Sequence, residues 1–361
     1  MKYFNFIVAI LLSILYATGK IPPTEGFNLW ITSFIIPLAL VLNHVLLVIS
    51  LFLKKKSSVY YVIALLIGSP YLTRTIGIKY LLKPNPPPGN RFSVVSYNMG
   101  GYSMRPYHFK NVDSARTALK NWIVEPGGDI RCYQEFVNVS WSDEFNLVKK
   151  LNDSGTPFYF SREEASDYEK GTLIISKFPI VSSGDVLAST NGFNRIAYVD
   201  LKINDDTVRI VNVHLESMGL RQFRPHRTDG LETVKTQLVN ILRKLKIGVF
   251  ERSKQINQLA DFIEASPYPV VCAGDFNDLP YSYNYQALKK IMKNSFEETG
   301  RGMGFTYNGG TIKLLRIDNQ FFSSELRNVS FATLDSIRLS DHFPLRGEYQ
   351  FQRSRSHSEE Q

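Results

Sequence analysis

Cysteine is scarce: Cys132 and Cys272 are the only two in 361 residues. Two thiols in a long chain make no disulfide framework. Both lie in apolar, strand-like segments and read as small buried core residues. Acidic residues are outnumbered, 33 against 42 Lys and Arg, for a net charge of +9. No internal repeat is present, which excludes a stacked-repeat array. With 44% hydrophobic residues the chain is folded, not disordered.

Polar residues are scarce where the apolar ones concentrate. Residues 4–18, 28–53 and 57–78 form three apolar runs. A spanning helix needs about 20 such residues. The second run meets that, and the others approach it. None shows a polar face, so they predict three transmembrane helices rather than a soluble helical domain. The first run could also be a signal peptide, but Ala17-Thr18-Gly19-Lys20 is a poor cleavage site and two more runs follow at once. Asn43 and His44 are the polar pair inside the second run. That offers little for a transport path, so anchoring is the simpler role. Basic residues flanking the runs tie in number between the two sides. The compact Lys54-Lys55-Lys56 triplet tips the expectation toward a cytoplasmic N-terminus and an extracytoplasmic C-terminal domain.

Residues 84–90, PNPPPGN, read as a stiff extended linker. It divides a membrane anchor, 1–83, from one large domain, 91–350, and a polar tail follows at 351–361. The domain mixes strand and helix patterns, which predicts an α/β layered core. Strands are expected at 92–97, 129–134, 172–176, 195–203, 207–213, 269–273, 317–323 and 328–333. Helices are expected at 113–124, 229–246, 250–265 and 282–294.

Polar residues of a consistent chemistry stand at the ends of the apolar strands: Asn98, Glu135, His214, Asp275, Asn277, Asp318, Asp341 and His342. Carboxylates suit a hard divalent cation such as Mg²⁺ or Mn²⁺. A histidine suits proton transfer at neutral pH. Together they are the parts of a metal-assisted phosphoester hydrolase. A lone His after a strand is more often structural, but His214 comes with Asn212 and the rest of the set.

The ordered segments SYN at 96–98, QE at 134–135, NVHLES at 212–217, GDFN at 274–277, RIDNQF at 316–321 and SDHFP at 340–344 resemble the endonuclease/exonuclease/phosphatase superfamily. KGTLIISKFPI at 170–180 resembles the strand before that family's middle. The resemblance covers about residues 92–348. It implies a four-layered α/β sandwich, two face-to-face β-sheets with helices outside, and in-line attack of water on phosphorus. It makes His342 the general base or water-orienting group, with Asp341 beside it. It also implies a carboxylate paired with the base, which the sequence does not name. Asp275 would orient or deprotonate the water. Asn277 and His214 would hold phosphate oxygens, or His214 would protonate the leaving group. Asp318 would be a supporting acid and Arg195 a phosphate ligand. Glu135, with Asn98 and Asp341 nearby, would bind the metal.

Members that act on abasic DNA tend to carry Tyr after the RID-type Asp and a residue other than His at position 214. Here Asn319 follows Asp318 and His214 is present, which points to the deoxyribonuclease- and sphingomyelinase-like branch. Segment 219–252 is rich in Lys and Arg and poor in aromatics. It suits a polyanion or anionic lipid headgroups better than base stacking, and a solvated helix face reads equally well. The substrate is therefore expected to be a nucleic acid or a membrane-proximal lipid or sugar phosphate. The seven-residue linker reaches only about 20 Å, which favours the latter. A catalytically inactive binding module is the alternative, but no member of the set is missing. The sequence carries no oligomer signal.

Overall fold

The computed structural model describes residues 2–23, 29–79, 89–102, 117–118, 121–123, 127–163, 168–188, 193–218, 231–309 and 315–352. Helices stand at all three N-terminal apolar runs: α1 (Lys2–Thr18), α2 (Thr32–Phe52, preceded by a 3-10 turn at Leu29–Ile31) and α3 (Ser58–Thr75). Three membrane-length helices were expected. Among the described residues only Leu29–Phe52 is both long and apolar enough to cross a membrane. The first helix is too short, at Tyr3–Thr18. The third, SVYYVIALLIGSPYLTRT, turns polar in its second half and carries Arg74.

The large domain holds two six-stranded mixed sheets. The first contains β1 (Arg91–Asn98), β2 (Ile130–Val139), β3 (Phe158–Arg162), β4 (Tyr168–Ser176), β11 (Leu326–Thr333) and β12 (Leu345–Phe351), in the order β11-β12-β1-β2-β4-β3. The second contains β5 (Ile180–Leu187), β6 (Arg195–Ile203), β7 (Asp206–His214), β8 (Val270–Asp275), β9 (Lys293–Asn294) and β10 (Asp318–Phe322), in the order β5-β6-β7-β8-β10-β9. Each sheet has one parallel pair at its centre, β1 with β2 and β7 with β8. These central strands are buried on both faces, which is why they read as continuous apolar runs.

The sheets face each other across a core that includes Phe92, Val94, Ile130, Ile174, Val199, Ile210, Val271 and Phe322. Helices α5 (Leu231–Glu264) and α6 (Tyr283–Ile291) cover the back of the second sheet with Ile256, Leu259, Ile263 and Leu288. Helix α4 (Leu147–Asp153) covers the back of the first with Leu147 and Leu151. The arrangement is the α/β sandwich expected from sequence. Both cysteines are buried and free, Cys132 in β2 and Cys272 in β8.

Two expected helices, 229–246 and 250–265, are one helix of 34 residues. Gly248 lies in the gap between the two expected spans and allows close packing: a Cβ there would lie 2.9 Å from the Arg252 guanidinium and 3.0 Å from the Ser217 carbonyl. The helix expected at 282–294 ends at Ile291 and gives way to β9. A short helix, α7 (Ser295–Thr299), follows. The helix expected at 113–124 and the linker at 84–90 fall mostly outside the described residues, as does the tail from 353 on. Strands β3, β5, β9 and β12 were not expected. β3 and β5 are edge strands, and β5 has several exposed polar residues. In β12, Arg346, Gly347 and Glu348 hide an otherwise alternating pattern.

The bundle docks on the domain through a buried arginine. Arg74, 5% exposed, donates to the Pro280 carbonyl and to Gln286 Oε1, and lies 3.9 Å from Glu297. It also sits over the rings of Tyr71 and Tyr285. Gly77 pairs with Gly302 in an isolated bridge. Removing one partner of a buried ion pair costs about 3–5 kcal/mol. Lys289, 3.3 Å from Glu297, would still offset that acid. Arg74→Met should therefore destabilise the full chain by about 3 kcal/mol, at the low end of that range. Thermal or denaturant unfolding in detergent would measure it; unfolding identical to the unsubstituted protein would show that Arg74 does not hold the two parts together.

Candidate active site

The strand ends converge by register. His214 ends β7 opposite Asp275, which ends the parallel β8. Asp318 begins β10 opposite the same Asp275. Three polar groups therefore stand in a row on neighbouring strands of one sheet. The facing sheet contributes Asn98 at the end of β1 and Glu135 in β2.

Asp275 is the hub and is 1% exposed. Its Oδ1 accepts the Asn277 N–H at 2.8 Å, and its Oδ2 accepts Asn98 Nδ2 at 2.9 Å. Oδ2 also lies 3.8 Å from His342 Nε2 and 3.9 Å from His214 Nε2. Asn98 Nδ2 reaches Glu135 Oε1 as well, at 3.3 Å. The Gly100 N–H donates to Asn98 Oδ1 at 3.0 Å and so orients the amide, its NH2 toward the acids.

Backbone strain aims two of these groups. Glu135 has φ +48° at a bulge between β2 and β4, and Asn277 has φ +49° just after β8. Such conformations cost of order 1–3 kcal/mol outside glycine and persist where surrounding structure enforces them. Bulges commonly re-aim a side chain beside a site. Gly274 has φ +149°, and a Cβ there would lie 2.0 Å from the Val213 carbonyl. No other residue fits the close parallel pairing of β7 and β8 at that point.

His342 and Asp318 form the tightest pair. His342 Nδ1 donates to Asp318 Oδ2 at 2.9 Å, with both side chains buried. Thr306 supports Asp318 by accepting the N–H groups of Ile317 and Asp318 at its hydroxyl. Burial alone would drive the imidazole neutral. The carboxylates of Asp318, Asp275 and Asp341, with the hydrogen bond to Asp318, outweigh it and raise the His342 pKa to about 10. Burial pushes the Asp318 carboxyl up to about 6, with Asp275 adding to the rise, against the imidazolium's opposing pull. The two groups titrate as a pair, and near pH 7 that pair keeps its proton on the imidazole. His214 Nδ1 donates to the Phe193 carbonyl at 2.7 Å, which leaves Nε2 facing Glu135 at 3.7 Å and Asp275.

The pairing acid that the sequence left open is thus Asp318. Asp341, expected to serve both catalysis and metal binding, does not join the cluster. Its carboxylate lies beside the Gly100 turn and accepts from Ser340. Arg195 was expected at the phosphate. It is 4% exposed and committed to Asp185 at 3.3 Å and Ser161 at 3.0 Å. Asn98, expected near the metal, stands between Glu135 and Asp275 with its oxygen accepting the Gly100 N–H, which leaves that oxygen one lone pair. Asn277 lies on the cleft wall with one amide proton on the Leu215 carbonyl. Thr306 and the apolar wall went unrecognised from sequence. No strand-end pattern marks Thr306, because it acts through the backbone of its neighbours.

The cleft is lined by Glu135, Asp275, Asn277 and His342 on its polar side and by Met218, Tyr307, Leu315 and Ile317 on its apolar side. No Lys or Arg is among these residues. The potential ligand atoms of Asp275, Asp318 and His342 lie within 4.8 Å of one another; with the imidazole protonated, the oxygens of Asp275, Asp318 and, from across the cleft, Glu135 are the groups left for a cation. An oxygen-rich, net-acidic set without a lysine or arginine to offset it fits a hard divalent cation.

Residues 95–342 match the family described as Endonuclease/Exonuclease/phosphatase. The chain belongs to that family. Residues 1–75 match a family described as a domain of unknown function. No curated protein matches the chain. Solved structures share the fold. TDP2 from C. elegans is 19% identical, with 72% of this chain and 75% of that chain covered, at a TM-score of 0.50. A family protein from Beutenbergia cavernae DSM 12333 is 16% identical, with 72% of each covered, at 0.51. A humanized D. rerio TDP2 is 18% identical, with 72% and 99% covered, at 0.50.

Replacing Asp318 with Asn removes the nearest negative charge from His342. The His342 pKa should then fall from about 10 toward the ordinary imidazole value of about 6.5. NMR titration of histidine-labelled protein reads this directly. An unmoved titration would mean that Asp318 does not hold the proton on His342.

Proposed function

We propose that the chain is a membrane-anchored, divalent-metal-dependent phosphoesterase that cleaves its substrate by in-line attack of water on phosphorus. The convergence of Asp275, Asp318, His342, Glu135 and Asn98 from two sheets carries the reading. Glu135 and Asp275, with Asp318 behind, would hold Mg²⁺ or Mn²⁺. The cation would neutralise phosphate charge and stabilise the leaving oxygen.

The chain's own groups supply the rest. His342, protonated and held by Asp318, presents Nε2–H beside Asp275 and can donate to a phosphoryl oxygen. Asp275 accepts from Asn98 and Asn277 and is the acid placed to orient an attacking water. His214, with Nδ1–H fixed on the Phe193 carbonyl, stands on the opposite flank, and as the imidazolium its Nε2–H would donate to the phosphate or the leaving oxygen. Asn277 keeps one amide proton for the same oxygens.

Membrane anchoring draws support from the bundle's surface. Phe6, Ile7, Leu11 and Ile14 of α1, Leu38, Val41, Val45 and Val48 of α2, and Val59, Val62, Ile63 and Leu66 of α3 are all exposed. Polar groups lie inside: Asn43 reaches Tyr16, Ser50 pairs with Ser57, and Tyr61 bonds Asn5. An apolar exterior with the polar side chains turned inward is how helices pack in lipid. Helix α2 is the spanning element, with α1 and α3 packed alongside. The Lys54-Lys55-Lys56 turn lies at the end of the bundle away from the domain. The positive-inside rule then puts that turn in the cytoplasm and the domain outside it.

The substrate is a phosphoester presented at the membrane surface. Met218, Tyr307 and Ile317 of the cleft share one hydrophobic cluster with Tyr16, Ile36, Leu40 and Tyr71 of the bundle. The apolar wall of the cleft is therefore continuous with the anchor, which suits an amphiphilic lipid phosphate better than a diffusing nucleic acid.

The test is hydrolysis by the full chain in proteoliposomes, with and without Mg²⁺, on sphingomyelin, a phosphoinositide, plasmid DNA and RNA. Metal-dependent turnover of a lipid is expected. His342→Ala and Asp275→Asn should each lose about 10²–10⁴-fold, and turnover near the unsubstituted rate in either would sink the assignment. Glu135→Gln should raise the Mg²⁺ concentration needed for half-maximal rate; an unchanged metal titration would remove Glu135 from the ligand set. Turnover of DNA or RNA alone would overturn the substrate class and leave the chemistry.

A further inference from the structure

Helix α5 is longer than its packing on the sheet requires. Its second half buries Ile256, Leu259 and Ile263 against the second sheet. Its first half runs past the sheet, yet keeps the same apolar stripe. Val234, Leu238, Ile241, Leu242, Leu245 and Val249 recur at helical spacing on one face. Leu245 and Val249 are buried, and Ile241 packs against the bundle's hydrophobic cluster. Leu238 is 49% exposed and Leu242 37%. Exposed leucines on a stripe that is elsewhere covered call for a partner.

Two observations say what that partner is. The first is position. Helix α5 touches the 3-10 turn Leu29–Ile31, where the helix apolar enough to cross a membrane begins. Val249 of the stripe shares a crevice with Leu29, Trp30 and Thr32, and Ile241 packs on the bundle's cluster, so the uncovered leucines lie on a stretch of helix held beside the bundle. The second is charge. From Thr233 to Phe250 the helix contains Lys235, Arg243, Lys244 and Lys246 and no acidic residue. Basic residues flanking an apolar stripe are the composition of a helix lying in the plane of an anionic interface.

We infer that the first half of α5 is an interfacial helix, which seats Leu238 and Leu242 in the outer edge of the bilayer and its lysines and arginine among anionic lipid headgroups. The inference rests on the bundle being a membrane anchor. It goes beyond anchoring: it fixes the tilt of the catalytic domain. Ser217 and Met218, on the cleft wall, lie against the same helix, Ser217 through its carbonyl beside Gly248. A seated helix would hold the cleft at a set height over the headgroups, where a lipid phosphate lies.

The experiment uses the full chain in proteoliposomes of phosphatidylcholine, alone or mixed with phosphatidylglycerol. A fluorophore is placed in turn at Leu238→Cys, Asn240→Cys and Val45→Cys; Cys132 and Cys272 are buried and should not react. Quenching by a spin label on the lipid chains is read. The Leu238 and Val45 labels should be quenched and the Asn240 label, on the opposite face, should not. Lys235→Gln with Arg243→Gln and Lys246→Gln should lower the quenched fraction at Leu238 on the mixed bilayer only. The seated-to-free ratio should fall about fivefold per charge, at roughly 1 kcal/mol each.

A quenched Val45 with equal, weak quenching at Leu238 and Asn240 overturns the inference and leaves the anchor standing. An unquenched Val45 removes the anchor and the inference with it. Quenching at Leu238 that ignores both lipid charge and the triple substitution overturns the anionic assignment. Protection of the Leu238 label by added DNA, without lipid quenching, overturns the membrane assignment in favour of nucleic acid.

Discussion

Everything around the cleft of this molecule answers to one constraint: the Asp275 carboxylate is buried. An ion stripped of water costs several kcal/mol unless it is paired and hydrogen-bonded. Each charge-assisted hydrogen bond returns about 1.5–3 kcal/mol. Asp275 takes one such bond from the Asn277 backbone and one from Asn98 across the sandwich. Two imidazoles stand just beyond hydrogen-bond distance. The partners come from β1, from the loop after β8, from β7 and from the loop before β12. The acid is therefore stable only when both sheets are assembled in register, and its chemistry is available only in the folded state.

That register is itself fixed by buried amides between the sheets. Gln134 Nε2 donates to Asn212 Oδ1 at 2.6 Å, and Asn212 Nδ2 donates to the carbonyls of Tyr133 and Leu173. Gln320 reaches the Val94 and Leu345 carbonyls and accepts from Tyr349. Apolar contact between sheets is non-directional and tolerates sliding. Directional bonds do not, because a slip leaves buried polar atoms without partners. Gln134 precedes Glu135, Asn212 lies two before His214, and Gln320 two after Asp318. The amides that lock the sheets are thus threaded among the residues of the site. The strained backbone at Glu135 and Asn277 is held within the same frame.

The strands that carry the site were legible because burial on both faces leaves an apolar run with a polar group at or near its end. This exposed Asn98, Glu135, His214, Asp275 and Asp318, and the layered sandwich with them. Edge strands β3 and β5 lack that signature. The two helices expected at 229–246 and 250–265 are continuous, and Gly248 between them packs closely against Ser217 and Arg252. The site's pairing lay beyond reach for a different reason. His342 and Asp341 are adjacent in sequence, yet a loop side chain's direction is set by tertiary contacts. The backbone bonds of Phe343 to Thr306 and of Asn308 to Asp341 fix the loop, and Asp318, distant in sequence, becomes the partner. Arg195 misled for the converse reason: its position beside His214 in the sheet is right for a phosphate ligand, but Asp185 and Ser161 take its guanidinium.

The bundle and the site are not independent. Arg316 is buried, and its guanidinium donates to the Arg74 carbonyl near the end of α3 and to Asn319 Oδ1. It lies over the Phe296 ring at 4.1 Å, and Tyr285 is shared between Arg74 and Arg316. Arg316 and Asn319 bracket Ile317 and Asp318, so the segment that presents the acid to His342 is clamped to the bundle on one side and to β9 through Asn294 on the other. Two guanidiniums this close repel unless their donors are well placed. The carbonyl of Arg74, the amides and the acid Glu297 provide that placement only while the helices are docked. A flexible tether would place no such demand on the domain. The chain instead builds the end of α3 into the support of the acid that pairs with His342, which couples the geometry of the site to the docked bundle.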